Sequence, residues 1–197
     1  MHIFSKRMQR LFLSLYNDKM NFIQLQQKIE DASKKAFLEM YEQHGEEEIY
    51  AFALYSDEGA MTVCPSTNTV RFLEQNEDED DRLYYKYEPA EWRYEMQGAN
   101  QEFNAISKAL YDEVMKISDD EEAFTQFREN VFAVCIDVLE KLKNEDFFSQ
   151  ITGKDVFLIF SVSDDVFSAG ELESIINRLN DNAYKAEYLD WMKTWGN

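Results

Sequence analysis

The ten residues Asp155 to Asp164, DVFLIFSVSD, form the most strongly β-forming run in the chain. A strand with one wet face alternates apolar and polar residues, whereas this one is apolar at nearly every position and so must be covered on both faces. Such a strand cannot fold alone. It needs packed layers on either side, and the rest of the sequence offers mostly helices to supply them.

From Asp18 to His44, the residues Phe22, Leu25, Ile29, Ala36, Phe37 and Met40 recur at three- and four-residue steps with Lys and Glu between them. This predicts a long amphipathic helix stopped by Gly45. The period then changes. Ile49 to Ser56 reads as a strand, DEGA as a turn, and Met61 to Cys64 as a return strand ended by Pro65, together a hairpin. STNTVRFLEQN follows as a short helix led by a capping Ser66 or Thr67. LYYKY suits a short strand, and Pro89 suits the first position of a helical turn ended by Gly98.

Phe103, Ile106, Leu110 and Val114 share one face of a helix over Asn100 to Ile117. Ser118 with Glu121 reads as a capping box that opens a second long helix, its stripe being Phe124, Phe127, Val131, Val134, Val138 and Leu142. Ser168 with Glu171 caps a further helix to Leu179, and NAYKAEYLDWMKTW closes the chain as another. The expected fold is α+β: a single domain over residues 19–197, with a three- to five-stranded, largely antiparallel sheet flanked by long amphipathic helices. A chain of 197 residues suits one core. Residues 1–18 are an N-terminal extension or helix, basic and partly apolar, that either packs on the domain or lies on a surface.

Charge narrows the function classes. With 39 acids against 20 bases the formal net charge is −19, a field that repels nucleic acid and anionic membrane. A basic protein partner is favoured, although such charge also serves plain solubility. No stretch approaches the roughly 20 apolar residues of a membrane span, and the run Leu11 to Tyr16 is short and lacks a small-residue cleavage site. A cytoplasmic location follows, in which Cys64 and Cys135 are buried free thiols.

Cofactor chemistry has little material. Neither phosphate-binding glycine signature occurs, and His2 and His44, the only histidines, leave zinc sites and nucleophilic triads short of parts. No cofactor is expected. The best carboxylate cluster is Asp57 and Glu58 in the hairpin turn with Asp164 and Asp165 after the strong strand, since strand ends that converge on one rim could hold a divalent ion. Otherwise these four are solvated loop carboxylates. The densest aromatic stretch, YYKYEPAEWRYEMQG from Tyr84 to Gly98, is either core or contact surface. Buried, Tyr85, Tyr87 and Trp92 would each hide roughly 150 to 250 Å².

The order of YAFALYSDEGAMTVCPSTNT, YYKYEPAEWRYEMQG, FRENVFAVCIDVLEKL and VFLIFSVSD resembles the bacterial domain of unknown function 4303 family, with Pro89, Glu91 and Trp92 as the most specific element. The resemblance spans most of residues 20–180 and transfers no catalytic residue. It implies a small bacterial cytoplasmic protein, similar in size and acidity to families encoded beside secreted polymorphic toxins as their immunity partners. The expectation is therefore a non-enzymatic acidic binding protein that neutralises a cognate toxin. Glu77, Asp78, Glu79, Asp80 and Asp81, with Asp119, Asp120, Glu121 and Glu122, are its charged contributors, and Trp92 is a candidate anchor. Two alternatives stand beside it: an enzyme using a metal on Asp57, Glu58, Asp164 and Asp165, and a DNA-mimic inhibitor. A mimic needs acids in rows at phosphate-like spacing, whereas these cluster at segment ends.

Overall fold

The computed structural model describes residues 20–75, 81–163 and 167–195; the extension expected over residues 1–18 lies outside them. Helix α1 spans Phe22–His44, its start fixed by the Asn21 side chain, which accepts from the Gln24 amide at 3.1 Å. At its end the Gly45 N–H donates to the Tyr41 carbonyl, so the helix stops where the sequence places the stop.

Strand β1 covers Ile49–Ser56 and β2 covers Cys64–Thr69. Helices α2, Val70–Gln75, and α3, Arg82–Tyr87, follow, then a 3-10 turn at Pro89–Glu91 and the two-residue strand β3, Tyr94–Glu95. Two long helices come next, α4 at Asn100–Ile117 and α5 at Glu121–Asn144, then short α6 at Phe147–Thr152. Strand β4, Phe157–Val162, and helices α7, Ala169–Leu179, and α8, Ala183–Met192, complete the order.

The four strands lie in the order β3-β2-β1-β4. Both β1–β2 and β2–β3 are antiparallel, but β4 runs parallel to β1, so the sheet of this α+β domain is mixed. The parallel pairing follows from the connection: α4, α5 and α6 carry the chain back across one face before β4 begins, which a hairpin could not do. On that face Phe52, Leu54, Leu158 and Phe160 pack against the buried stripes of α1, α4 and α5. On the other, Tyr50, Ala51, Ala53, Phe157 and Ile159 meet Leu73, Tyr87, Trp92, Ile176 and Tyr188. The apolar run at residues 157–162 is thus buried from both sides, as its composition requires.

Five local expectations are corrected. The helical turn expected from Pro89 to Gly98 stops at Glu91, and Tyr94–Glu95 pair with β2 as strand β3. Pro65 does not end the return strand; it pairs with Leu54 inside β2. Its carbonyl accepts from Met96 N, and since N–H and C=O of a strand residue point the same way, the missing donor faces the short β3 edge and the β1 ladder is intact. Ser66 and Thr67 consequently belong to a strand, not to a helix cap. LYYKY is the helix α3 rather than a strand, because its weak alternation also places Leu83 and Tyr87 on one helical face against the second core. Helix α5 is capped by Asp120, whose carboxylate accepts from Ala123 N at 3.0 Å, and Ser118 instead ends α4.

Candidate functional site

The sequence singles out four places: a carboxylate rim, the aromatic stretch and two acidic runs. The first is the rim at the C-terminal ends of β1 and β4. These strands are parallel neighbours and Ser163 N donates to Ser56 O at 3.0 Å, so the segments after them start side by side. Asp164 and Asp165 lie outside the described residues. Asp57 is committed to the turn: its carboxylate accepts from Gly59 N, Met61 N, Thr62 N and Thr62 Oγ1 at 2.6 to 3.2 Å. Both oxygens are engaged in shaping backbone, which is the ordinary work of an aspartate at a tight turn. Glu58 is exposed beside it. Among the described residues no group of three or more His, Cys, Asp or Glu is placed to hold a metal ion.

The second place is the aromatic stretch. Trp92 is only 3% exposed and Tyr87 1%, both in the core under α7 and α8, so the Trp92 side chain is a core element and offers a partner no anchor. Around it the polar strand β2 is wired inward. Ser66 Oγ donates to the Pro89 carbonyl at 2.9 Å, and Asn68 Nδ2 donates to Tyr50 Oη at 2.9 Å and to the Tyr85 carbonyl at 3.1 Å. Tyr94 stacks on His44 with ring centroids 4.0 Å apart and donates to both oxygens of Glu47 at 2.9 Å. Burial alone would raise the Glu47 carboxyl, but hydrogen bonds from Tyr94 and His44 hold it below its ordinary range. The same burial and the bond to Glu47 raise the Tyr94 hydroxyl. This cluster ties the end of α1 to the sheet. Nothing in the sequence signals it, because its members are up to 50 residues apart.

Neither thiol is disposed to react. Both cysteines are buried and unpaired; burial first, then the nearby Glu95 and Asp57 charges, push the Cys64 thiol up to about 11, and burial pushes Cys135 upward as well.

The third place is the corner where α4 gives way to α5. Asp119, Asp120, Glu121 and Glu122 are all exposed there, and Glu129 lies one to two turns further along the same surface. Of the cations nearest in sequence, Lys116 pairs with Glu113 at 2.9 Å within α4 and Arg128 lies over the Phe124 ring, 5.9 Å from its centroid. Leading to this corner, Tyr111 is 50% exposed and Met115 49%, one helical turn apart. The pair has a signal in the sequence, though a weak one: each follows a core-stripe residue, Leu110 or Val114, by one position, which turns it out of the core.

Asp81 is exposed at the start of α3, whose buried residues pack on the opposite face of the sheet from α4 and α5. Glu77, Asp78, Glu79 and Asp80 lie outside the described residues. Asp81 and the α4–α5 corner therefore belong to elements that pack on opposite faces of the sheet.

The family model of the domain of unknown function DUF4303 matches residues 29–181, well over half of the chain. The chain belongs to the DUF4303 family. The DUF4303 match takes in all four strands, the aromatic stretch and the whole α4–α5 corner, while α8, which supplies Tyr188 to the second core, lies beyond it. No curated protein and no solved structure matches this DUF4303 chain.

Proposed function

We propose that this DUF4303 chain is a non-enzymatic binding protein that captures a basic protein partner through the α4–α5 corner. The observation that carries the reading is the juxtaposition there of two half-exposed large side chains, Tyr111 and Met115, with Asp119, Asp120, Glu121 and Glu122, whose charge no described ion pair offsets. Interfaces combine these parts: aromatic and Met side chains supply the anchor, and surrounding charge steers encounter. The net charge of −19 adds a long-range attraction for a basic surface. The resemblance to families encoded beside secreted toxins supplies the class of partner, and the role assigned is that of a bacterial immunity protein occupying a toxin's basic cleft.

The experiment screens the products of neighbouring genes for one that binds this chain and follows that pair by stopped-flow mixing at graded salt; the absence of any binder among them would count against the reading. Replacing Asp119, Asp120, Glu121 and Glu122 by their amides should slow association and flatten its salt dependence. Tyr111→Ala and Met115→Ala should instead speed dissociation, because anchors act on complex lifetime and peripheral charge on encounter. An association rate indifferent to both salt and the amide substitutions would remove the proposal.

A further inference from the structure

A groove of about 310 Å³ opens beside the acidic corner, walled by Met20, Phe22, Ile117 and Phe127, with Glu113 and Gln126 among its polar members. Its lining is mainly apolar. Glu113 is 8% exposed, so the groove also contains a largely buried carboxylate, bound on one side by Lys116. Met20 is itself a wall. The nineteen residues before it in the sequence are therefore tethered at the groove's mouth, and a short tether gives an effective concentration of about millimolar.

Those residues have matching chemistry. Lys6, Arg7, Arg10 and Lys19 face a single acid, Asp18, in the one basic stretch of an otherwise acidic chain. Phe4, Met8, Leu11, Phe12 and Leu15 recur at three- and four-residue steps, the spacing that gathers apolar side chains on one helical face. We propose that residues 1–19 dock in this groove. Their apolar stripe covers Ile117 and Phe127, and their cations lie over Asp119, Asp120, Glu121, Glu122 and Glu129. The docking itself needs no partner, so its test uses the chain alone and stands or falls apart from the function proposed above.

The full chain is treated with a zero-length carbodiimide coupler, and the monomer fraction is digested and sequenced by mass spectrometry. Lys6 should be joined to acids between residues 119 and 129. Links found only in a dimer fraction would assign the groove to a second copy and overturn the proposal. So would Lys6 links spread over acids of the opposite face such as Glu187 and Asp190, or no links at all. Hydrogen exchange is the second readout, since Arg7→Glu with Arg10→Glu should speed exchange at residues 117–127, and adding Glu121→Lys with Glu122→Lys should restore protection. Restoration separates charge pairing from simple loss of fold; a double reversal that fails to restore protection overturns the proposal too.

Discussion

Gly98 has φ of +95°, and a Cβ placed on it would lie 2.9 Å from the Cα, Cβ and carbonyl oxygen of Ala36. The loop therefore rests against the backbone of α1 at a distance only hydrogen allows. Ala99 follows at φ +48° with its N–H donating to Glu39 Oε2 at 2.7 Å, which pins the same loop to the same helix. Gly98→Ala should cost roughly 1 to 3 kcal/mol through overpacking and left-handed strain, measured by urea unfolding. A cost within about 0.5 kcal/mol, as at ordinary surface sites, would show that the close approach does not hold in solution. Trp92→Ala should cost about 3 to 5 kcal/mol for a large ring removed from a core. The alternative outcome, unchanged stability with a faster-dissociating complex, belongs to an interface anchor and is not expected of a side chain 3% exposed. Composition could not choose between these fates for Trp92, because Trp serves both uses equally well.

Among the elements, β4 makes the sharpest case. Its run of residues suggests the middle of a sheet, yet it is an edge strand, and at Leu158 its outer side is capped by one side chain. Asn180 Oδ1 accepts from Leu158 N at 2.9 Å and Asn180 Nδ2 donates to the Leu158 carbonyl at 2.7 Å, so a 1%-exposed amide replaces the missing neighbour. Asn180→Ala would leave both backbone groups unpaired, at about 1 to 3 kcal/mol each. It should also reopen an edge able to recruit another chain, seen as concentration-dependent association in sedimentation. A variant that stays monomeric and loses under about 1 kcal/mol would contradict that account. Elements that rest on local rules were legible in the sequence. β1 and α4 run between the expected residues, and the box of Ser168 with Glu171 caps α7. The illegible ones depend on distant partners. CPSTNT is a buried strand whose Ser66, Asn68 and Thr69 side chains bond Pro89, Tyr50, Tyr85 and Glu47, while the buried Thr67 hydroxyl has no partner among the described residues, and no rule of spacing reveals that. The candidate site divides similarly: the acids of the α4–α5 corner could be read directly, whereas the exposed pair beside them needed the register of α4.

At the scale of the molecule, an acidic chain holds together by giving the carboxylates that bridge its elements the cations and donors it has. Glu30, nearly buried between α1 and α5, binds Lys34 and Lys141 at 2.7 Å each. Glu187 on α8 binds Lys86 and Tyr87 of α3. Burial by itself would raise both carboxyls, but these bonds outweigh it, and both are held below the ordinary value of 4.5, as is Glu47. Above 4.5 each is ionised whether the chain is folded or not, and its contribution to stability is complete. As pH falls below 4.5 the unfolded chain takes up protons first, so that contribution declines until pH has passed the folded value. Relief of repulsion among the exposed acids works in the opposite direction but is strongly screened by salt, while the bonds to Glu30, whose side chain is 5% exposed, are screened less even though Lys141 itself is 45% exposed. Thermal unfolding at raised ionic strength should therefore isolate the contribution of Glu30. The midpoint of the wild-type chain should fall as pH drops below 4.5, and Glu30→Gln, less stable at neutral pH, should fall less steeply over the same interval. Superimposable acid slopes for the two proteins would mean that the bridge from α1 to α5 contributes nothing, and that packing of the helical stripes alone keeps those helices together.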